Sequence, residues 1–345
     1  MNDQKLSFAS DYMEGAHPAI LRKLSETNLI KSPGYGLDPY SESAREKIRS
    51  ACGAPDAEVY FLSGGTQTNA TMLDAMLAPY QGVVAAVSGH ISTHEAGAIE
   101  FTGHKVLTLP EHDGKLRASD VESLLKNYHA DENRDHTVMP GAVYVSHPTE
   151  SGTLYSKEEL ASLSLVCRTY GVRLYLDGAR LAYALGCPEN DLTLRDLASL
   201  TDVFYIGGTK CGALFGEAVV IPKRGLIPHL FTIVKQHGAL LAKGRIAGIQ
   251  FETLFTDGLY EALGRSAVEK ADRIRAALRE KRYEFAFDSP TNQIFVALTP
   301  AQKEALLPRV EMSFWEERPD GKTVYRIAAS WATEDRDVDA LIAVL

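Results

Sequence analysis

The sequence predicts an α/β protein in which a mostly parallel sheet is covered by helices and followed by a smaller α+β unit. Apolar runs alternate with amphipathic runs from about residue 58 to residue 222, a pattern typical of βαβ crossovers. After about residue 250, a long charged helical stretch precedes several short strand-like segments. The chain has 345 residues, 45% of them apolar, enough for two domains with their own cores.

The strands predicted for the large sheet are short apolar runs rich in β-branched and aromatic residues. They are VVAAVS (83–88), KVLTL (105–109), AVYVS (142–146), VRLYLD (172–177), DVFYIG (202–207) and AVVIP (218–222).

Helices are predicted between these strands. One follows Ser63-Gly64-Gly65-Thr66, and a second spans Ala118 to Tyr128 with Ser119 as its N-cap. A third spans Lys157 to Tyr170, because Ser156 and Glu159 have the spacing of a capping box.

The last part of the chain predicts a separate α+β domain. A helix from Leu259 to Lys281 precedes the strand-like segments EFAFD, QIFVAL, VEMSFWEE and TVYRIAASW. We therefore expect an N-terminal segment (1–20), a large domain (21–250) and a small C-terminal domain (251–345).

Charge and composition exclude several classes of function. The net charge is −9 without a basic cluster, which argues against binding to nucleic acid or to an anionic membrane surface. No run of 18 uncharged apolar residues and no apolar signal core are present. The four cysteines show no C-x-x-C spacing, so we expect a reducing, cytoplasmic location.

Lys210 lies between two apolar runs in the segment YIGGTKCGALFGEAVV. A lone lysine at a strand end is usually a surface residue. Here the flanking glycines allow close approach of another group, and an apolar surrounding lowers the pKa of a lysine amine and makes it a nucleophile. Such a lysine is typical of a Schiff base with pyridoxal 5′-phosphate (PLP), whose ring nitrogen requires an acidic partner.

Asp177 is the candidate for that partner. It ends the strand VRLYLD, one crossover helix before the strand that leads to Lys210, and ligands of parallel sheets bind at the carboxyl ends of strands. Taken alone, Asp177 could instead cap a helix. The segment SGGTQTN offers Gly65 and Thr66 at a helix start, where backbone N–H groups favour the cofactor phosphate.

His90 and His94 are spaced i, i+4 and are followed by Glu95. Two such histidines could ligate a metal, but no third ligand is evident. We favour His90 stacking on the cofactor ring, with His94 in a packing role and no metal; structural roles for both histidines remain open.

Two arginines could hold a substrate carboxylate, since a guanidinium binds a carboxylate through two hydrogen bonds. Arg180 lies three residues after Asp177, and Arg326 lies on a strand of the small domain. The alternative for each is a surface salt bridge.

Taken together, these motifs resemble the threonine aldolase and β-eliminating lyase family of PLP enzymes, in the fold type I group of aspartate aminotransferase. DGARLA and GGTKCGALFG match its aspartate and Schiff-base lysine segments, and SGGTQTN its phosphate loop. The resemblance covers nearly the whole chain. It implies a mostly parallel seven-stranded sheet and a homodimer or homotetramer with shared active sites.

Further residue roles are implied by this resemblance alone. Ser10, in FASDYMEGAHPAIL, is placed at the substrate carboxylate. Tyr35, in GYGLDPYSE, is placed near the cofactor, from the neighbouring subunit in many members. Arg245, in GRIAGI, is placed at the partner subunit's phosphate.

The chain also departs from the family pattern. Thr149 stands where the best-studied aldolases have a second histidine, and His147 is two positions away. Thr209 replaces the serine that usually precedes the lysine. The identity of the catalytic base and the substrate preference therefore stay open, and His90, acting directly or through a water, is the candidate base.

The implied reaction is cleavage of L-threonine, L-allo-threonine or a related β-hydroxy-α-amino acid to glycine and an aldehyde. Lys210, Asp177 and His90 are its expected catalytic residues. A β-eliminating or aminotransferase reaction on another L-amino acid stays open, because one scaffold and cofactor serve several reactions. A PLP-binding protein without turnover is the minor alternative.

Overall fold

The computed structural model describes residues 5–345. Its strands are β1 (Leu6–Ser7), β2 (Glu58–Leu62), β3 (Gln81–Ala86), β4 (Val106–Leu109), β5 (Met139–Ser146), β6 (Arg173–Asp177), β7 (Val203–Gly207), β8 (Glu217–Ile221), β9 (Glu284–Phe285), β10 (Gln293–Leu298), β11 (Val310–Glu311), β12 (Ser313–Glu317) and β13 (Thr323–Ala328).

The helices of the same residues alternate with these strands. They are α1 (Pro18–Thr27), α2 (Pro39–Cys52), α3 (Gly65–Met76), α4 (His90–Thr93), α5 (Ala98–Phe101), α6 (Ala118–Ala130), α7 (Lys157–Tyr170), α8 (Leu181–Leu185), α9 (Leu194–Leu200), α10 (Leu230–Gln236), α11 (Arg245–Leu254), α12 (Leu259–Glu280), α13 (Pro300–Leu306) and α14 (Asp335–Val344), with a 3₁₀ turn at Arg134–His136.

A seven-stranded sheet forms the centre of the fold, in the order β2-β8-β7-β6-β5-β3-β4. The five strands from β7 to β4 run parallel, whereas β8 is antiparallel to both of its neighbours. The predicted α/β class and the mostly parallel seven-stranded sheet are therefore confirmed. Strand β2 was not among the predicted strands, because three of its five residues are only partly buried and it does not read as a buried apolar run.

The predicted helices agree closely with the structure, with one correction. Helix α7 has the bounds Lys157–Tyr170, and Ser156 and Glu159 form the capping box. Helix α6 begins at Ala118 after the extended residue Arg117, without a side-chain cap. The prediction of Ser119 as N-cap is therefore wrong: this residue is already helical, and an N-cap must be extended.

The C-terminal strands form a second sheet of order β12-β13-β10-β9 beside α12 and α14. The N-terminal strand β1 pairs with β11, so the chain start is attached to this part of the molecule. The division at residues 20 and 250 stays a prediction. Among the described residues, no helix is both long and apolar enough to cross a membrane.

Candidate active site

The candidate site lies at the carboxyl ends of three adjacent strands. Ser146 ends β5, Asp177 ends β6, and Ser146 and Asp177 are paired in register. Lys210 follows the end of β7 by three residues. Because parallel strands end at one edge of a sheet, the topology alone brings these side chains together.

Two glycines allow the loops after β6 and β7 to pack against each other. A Cβ on Gly178 would lie 2.0 Å from the Tyr205 carbonyl oxygen, and a Cβ on Gly207 would lie 2.2 Å from the Ala179 carbonyl oxygen. Both distances are impossible contacts, so glycine is required at each position. The glycine-rich sequence before Lys210 thus holds that residue close to the Asp177 loop.

Asp177 is a buried carboxylate that accepts four hydrogen bonds. Burial favours the neutral carboxyl, but the positive charge of His90 and the hydrogen bonds together lower the pKa of Asp177. The carboxylate therefore stays an anion at neutral pH. Its donors are the Tyr144 hydroxyl (2.6 Å), the Tyr205 hydroxyl, the Asn69 side-chain amide (3.0 Å) and the Ala179 N–H (3.0 Å).

Lys210 lines two cavities, of about 90 and 230 Å³. Its Nζ makes no hydrogen bond to the described residues and lies 5.9 Å from the centre of the Tyr12 ring. Burial and the nearby positive charge of Arg180 lower the pKa of Lys210, despite the opposite effect of nearby carboxylates. A lowered pKa increases the fraction of neutral amine, which is the nucleophilic form.

Glu217 is a buried carboxyl group on β8 that lines the smaller cavity with Lys210. It accepts hydrogen bonds from the Gly208 N–H (2.9 Å) and the Thr209 hydroxyl (2.8 Å). Burial raises the pKa of Glu217 to about 7, although these hydrogen bonds act in the opposite direction. Through these two hydrogen bonds, Glu217 fixes the loop that carries Lys210, and Thr209 is the side chain that binds Glu217.

Replacing Glu217 by glutamine should stabilise the PLP-free protein relative to wild type as the pH rises. Because the pKa of Glu217 is raised in the folded state, the protonated side chain contributes its full stabilisation below the unfolded-state pKa of about 4.5. This contribution is lost as the pH rises to about 7. Urea unfolding at several pH values should show the advantage of Glu217→Gln growing by at most about 3 kcal/mol across that interval. The exposed Glu261→Gln variant should show no such trend; a flat difference for Glu217→Gln would contradict the assignment.

His90 is held by a second buried carboxylate. Its Nδ1 lies 2.7 Å from Glu95 Oε1, and the Asn69 amide donates to the same oxygen at 2.7 Å. Burial lowers the pKa of His90, but the Glu95 hydrogen bond and the charge of Asp177 outweigh burial and raise it. Asn69 bonds both carboxylates and so connects His90 to Asp177.

His94 lies next to His90 in a row of stacked aromatic rings. The two imidazole centres are 5.8 Å apart, and the His94 ring stacks on Trp315 at 6.3 Å. Within residues 5–345, no group of three or more histidine, cysteine or acidic side chains is arranged to hold a metal ion. His94 therefore packs beside the larger cavity, which it lines.

Arg180 is paired internally with Asp11, a residue that the sequence analysis did not single out. Its Nε and Nη2 donate to the two Asp11 oxygens at 2.6 and 3.0 Å, and Asn292 donates to the same carboxylate at 2.9 Å. Burial opposes ionisation of Asp11, but Arg180 and Lys210 hold its pKa well below the usual range. Two of the donors expected for substrate are thus already occupied, while Arg180 still lines both cavities.

Arg326 lines the larger cavity and retains an unused donor. Its Nη atoms donate to Gln293 Oε1 (3.1 Å), the Ala9 carbonyl (3.0 Å) and Ser313 Oγ (3.3 Å). Its Nε is buried without a partner among the described residues, as is the hydroxyl of Ser10. Burial and Arg180 lower the pKa of Arg326. Unpaired buried donors beside two guanidinium groups fit an anionic ligand.

The start of α3 offers unpaired backbone donors to the smaller cavity. Gly64 is its N-cap and provides no side-chain cap, and Gly65 lines the cavity. Thr66 follows in the first helical turn and is exposed. The arrangement is that of an anion site at a helix N-terminus.

Tyr35 and Arg245 do not line either of these cavities. Tyr35 lies beside a separate cavity, with Lys235 4.6 Å from the centre of its ring. Arg245 donates to the carbonyl oxygens of Thr27 and Ile30. Their expected roles at the cofactor stay predictions, which would require a second subunit.

Thr149, which departs from the family pattern, and the nearby His147 have different environments. Thr149 lines the smaller cavity, and its hydroxyl is hydrogen-bonded to Thr153 at 2.7 Å. His147 is fully buried and bonds Asn190 (3.1 Å) and the Tyr155 N–H (3.3 Å). Burial lowers the pKa of His147 to about 4, so this histidine is a neutral structural residue.

The sequence analysis missed several residues of the site. Tyr144 and Tyr205 were counted as apolar strand residues, although their hydroxyls bind Asp177. Glu150, which lines both cavities, directly follows Thr149. Its position just beyond the strand AVYVS was the one available signal, because polar residues after parallel strands meet at the same sheet edge.

The fold is similar to that of aspartate aminotransferase. An aspartate aminotransferase variant from Thermus thermophilus superposes with a TM-score of 0.72 over 99% of this chain and 90% of that chain. At 17% identity, this likeness concerns the fold alone. The chain belongs to the β-eliminating lyase family, whose profile matches residues 7–300.

Individual relatives support membership in this family, since each matches 90% or more of this chain. A structure of Leishmania major threonine aldolase is 45% identical, with a TM-score of 0.95 over 98% of both chains. The low specificity L-threonine aldolase of Pseudomonas sp. (strain NCIMB 10558) is 30% identical over 99% of this chain and 98% of its own. That of Pseudomonas aeruginosa is 31% identical over 90% of this chain and 89% of its own. The family resemblance read from the sequence is thus confirmed.

Proposed function

We propose that this protein is a PLP-dependent aldolase that cleaves L-threonine, L-allo-threonine or a related β-hydroxy-α-amino acid to glycine and an aldehyde. The observation that carries the proposal is the placement of Asp177, a carboxylate that accepts four hydrogen bonds, and Lys210, a buried amine whose pKa is lowered, in one cavity. The two Pseudomonas relatives named for this activity match this chain over most or all of its length.

The residues of the smaller cavity fit PLP. Lys210 would be its covalent anchor, Asp177 would bind the ring nitrogen, and His90 would cover one ring face. The first-turn N–H groups at Gly65 and Thr66 would bind the phosphate. Bound PLP would supply an electron-withdrawing ring that stabilises negative charge on the substrate Cα.

The residues of the larger cavity fit the carboxylate of an amino acid. Arg326 and Arg180 line this cavity and bring positive charge to it, and Arg326 Nε is a buried donor without a partner among the described residues. The Ser10 hydroxyl is also buried and unpaired among those residues, but Ser10 does not line the cavity. Holding the carboxylate here would fix the orientation of the Cα–Cβ bond. Asp11 orients Arg180, and its negative charge balances the positive charge of that guanidinium.

We also propose a homo-oligomer, a dimer or tetramer, in which the surface around Tyr35 and Arg245 faces a second subunit. Leu29 and Leu37, in the same segment, are 91% and 69% exposed, and exposed apolar groups of this kind mark interaction surfaces. The cysteines of residues 5–345 are all unpaired and buried, which supports the proposal of a cytoplasmic location.

The proposed activity is tested by supplying purified protein with PLP and either L-threonine or L-allo-threonine. We expect acetaldehyde and glycine to be released in equal amounts. A coupled assay that consumes NADH measures the acetaldehyde. Parallel assays for pyruvate and ammonia, with cysteine- and tyrosine-like substrates, detect β-elimination. Pyruvate without aldehyde would replace the aldolase by the β-eliminating alternative. No turnover with any of these substrates would contradict the proposed activity.

A further inference from the structure

Glu150 lies where the two cavities of the site meet. It lines both of them, together with His90, Arg180 and Lys210. The smaller cavity contains the groups that fit the cofactor, and the larger one contains the groups that fit the substrate carboxylate. A substrate bound to both the cofactor and the carboxylate site would extend across both cavities. A side chain at the junction of the cavities would then lie beside the reacting bonds of that substrate.

The two oxygens of Glu150 have different environments. Oε1 accepts hydrogen bonds from the His90 N–H (2.9 Å) and the Ser146 hydroxyl (2.7 Å). Oε2 has no hydrogen-bond partner within residues 5–345, and it is not among the fully buried unpaired atoms. One oxygen is therefore fixed by the protein, while the other is available to a ligand.

We propose that Glu150 is the base that removes the β-hydroxyl proton of the substrate, an inference that rests on the proposed aldolase function. Oε2 takes the proton as the O–H bond breaks and the carbonyl bond of the aldehyde forms. The Cα–Cβ bond breaks in the same step, and its electron pair stays on Cα. Later protonation of Cα gives glycine, so the reaction needs no other reactant.

The other candidates for this role are disfavoured by their contacts. His90 Nδ1 is bonded to the buried Glu95 carboxyl group, so this nitrogen is not available to a substrate hydroxyl. The Thr149 hydroxyl is bonded to Thr153 and is a very weak base. His147 is bonded to Asn190 and lines neither cavity. Glu150, one residue after Thr149, is thus the side chain whose contacts best suit a base.

The electrostatic surroundings suit a carboxylate that works as a base. Burial and the charge of Asp177 raise the pKa of Glu150, while the Ser146 hydrogen bond and His90 act in the opposite direction. The other acidic, basic and histidine side chains that line these cavities are Arg180 and Lys210 in both, Glu217 in the smaller one, and His94 and Arg326 in the larger one. A raised pKa brings the carboxylate closer to the pH at which a general base is most effective.

The test compares wild type with Glu150→Gln and Glu150→Asp, each saturated with PLP. Glutamine retains the shape and the oxygen that faces His90 and Ser146, but it cannot accept a proton. Aldehyde release by Glu150→Gln should fall about 10²- to 10⁴-fold, with an intermediate loss for Glu150→Asp. The acidic limb of the wild-type pH–rate profile should disappear in Glu150→Gln, because deprotonation of Glu150 no longer limits the rate.

Two further readouts separate this role from a structural one. The visible absorbance of bound PLP and the exchange of glycine α-hydrogens with D₂O should stay within about threefold of wild type, since glycine has no β-hydroxyl. Glu158→Gln, an exposed change on α7, should behave as wild type in every assay. Equal losses of exchange and cleavage, or unchanged cleavage in Glu150→Gln, would overturn the assignment. An inert wild type would instead refute the proposed function, and this inference with it.

Discussion

Replacing Lys210 by alanine is expected to abolish aldehyde release and the visible absorbance of covalently attached PLP. The loss should be on the order of a thousandfold or more in kcat, because the variant lacks the amine that anchors the cofactor and exchanges with the substrate amine. The protein should fold normally. Burial of the Lys210 ammonium costs stability in the wild type, so unfolding by urea should occur at an equal or higher concentration in the variant.

Two controls show whether the covalent bond is the cause. Lys210→Arg keeps a positive charge but not the nucleophilic amine, and it should be as inactive as Lys210→Ala. Lys223→Ala, at an exposed position, should retain full activity. Activity in Lys210→Ala within tenfold of wild type would show that another amine serves as the anchor.

Replacing Asp11 by alanine should lower the free energy of unfolding by about 3–5 kcal/mol. The Arg180 side chain is only 11% exposed and that of Asp11 is fully buried, so the change leaves a buried cation without its partner. Equilibrium unfolding in urea at neutral pH measures the loss. The pKa of Asp11 is lowered in the folded state, so its stabilisation is present above the unfolded pKa of about 4 and is lost as the pH falls further. The difference in the free energy of unfolding between Asp11→Ala and wild type should therefore decrease as the pH falls below about 4.

An exposed ion pair provides the matched control for Asp11. Asp335 is bonded to Arg273 at 2.6 Å, but the two side chains are 74% and 42% exposed. Asp335→Ala should cost no more than about 1 kcal/mol. The double variant Asp11→Ala with Arg180→Met should recover part of the stability, because no buried charge remains unpaired. A loss below 1 kcal/mol in Asp11→Ala would contradict the role of this ion pair.

Most of the fold could be predicted because local sequence patterns and tertiary packing agree there. The buried strands β5 to β7 are nearly continuous apolar runs, and the Ser156–Glu159 capping box fixes the start of α7. Strand β2 was not predicted because three of its five side chains, those of Glu58, Tyr60 and Phe61, are only partly buried. The start of α6 at Ala118 was predicted correctly, but its N-cap was misassigned because Ser119 has the chemistry of an N-cap and yet lies within the helix.

The site could be predicted only where chemistry coincides with a strand end. Lys210 and Asp177 lie on neighbouring strands, so topology brings them to the same edge. Asp11 comes from the N-terminal segment, far along the chain from Arg180, and no local pattern reveals that pairing. The two tyrosines that bind Asp177 have the sequence signature of core residues. For Glu150 the sequence offered only its position beyond the strand AVYVS, and the structure is needed to show that it lines both cavities.

The central claim is that PLP is covalently attached to Lys210. The most direct measurement is reduction of the PLP-loaded protein with borohydride, followed by peptide mass spectrometry. We expect one phosphopyridoxyl group per chain, on the peptide that contains Gly208, Thr209 and Lys210. A label on another lysine, or no label in protein that releases aldehyde, would contradict the account.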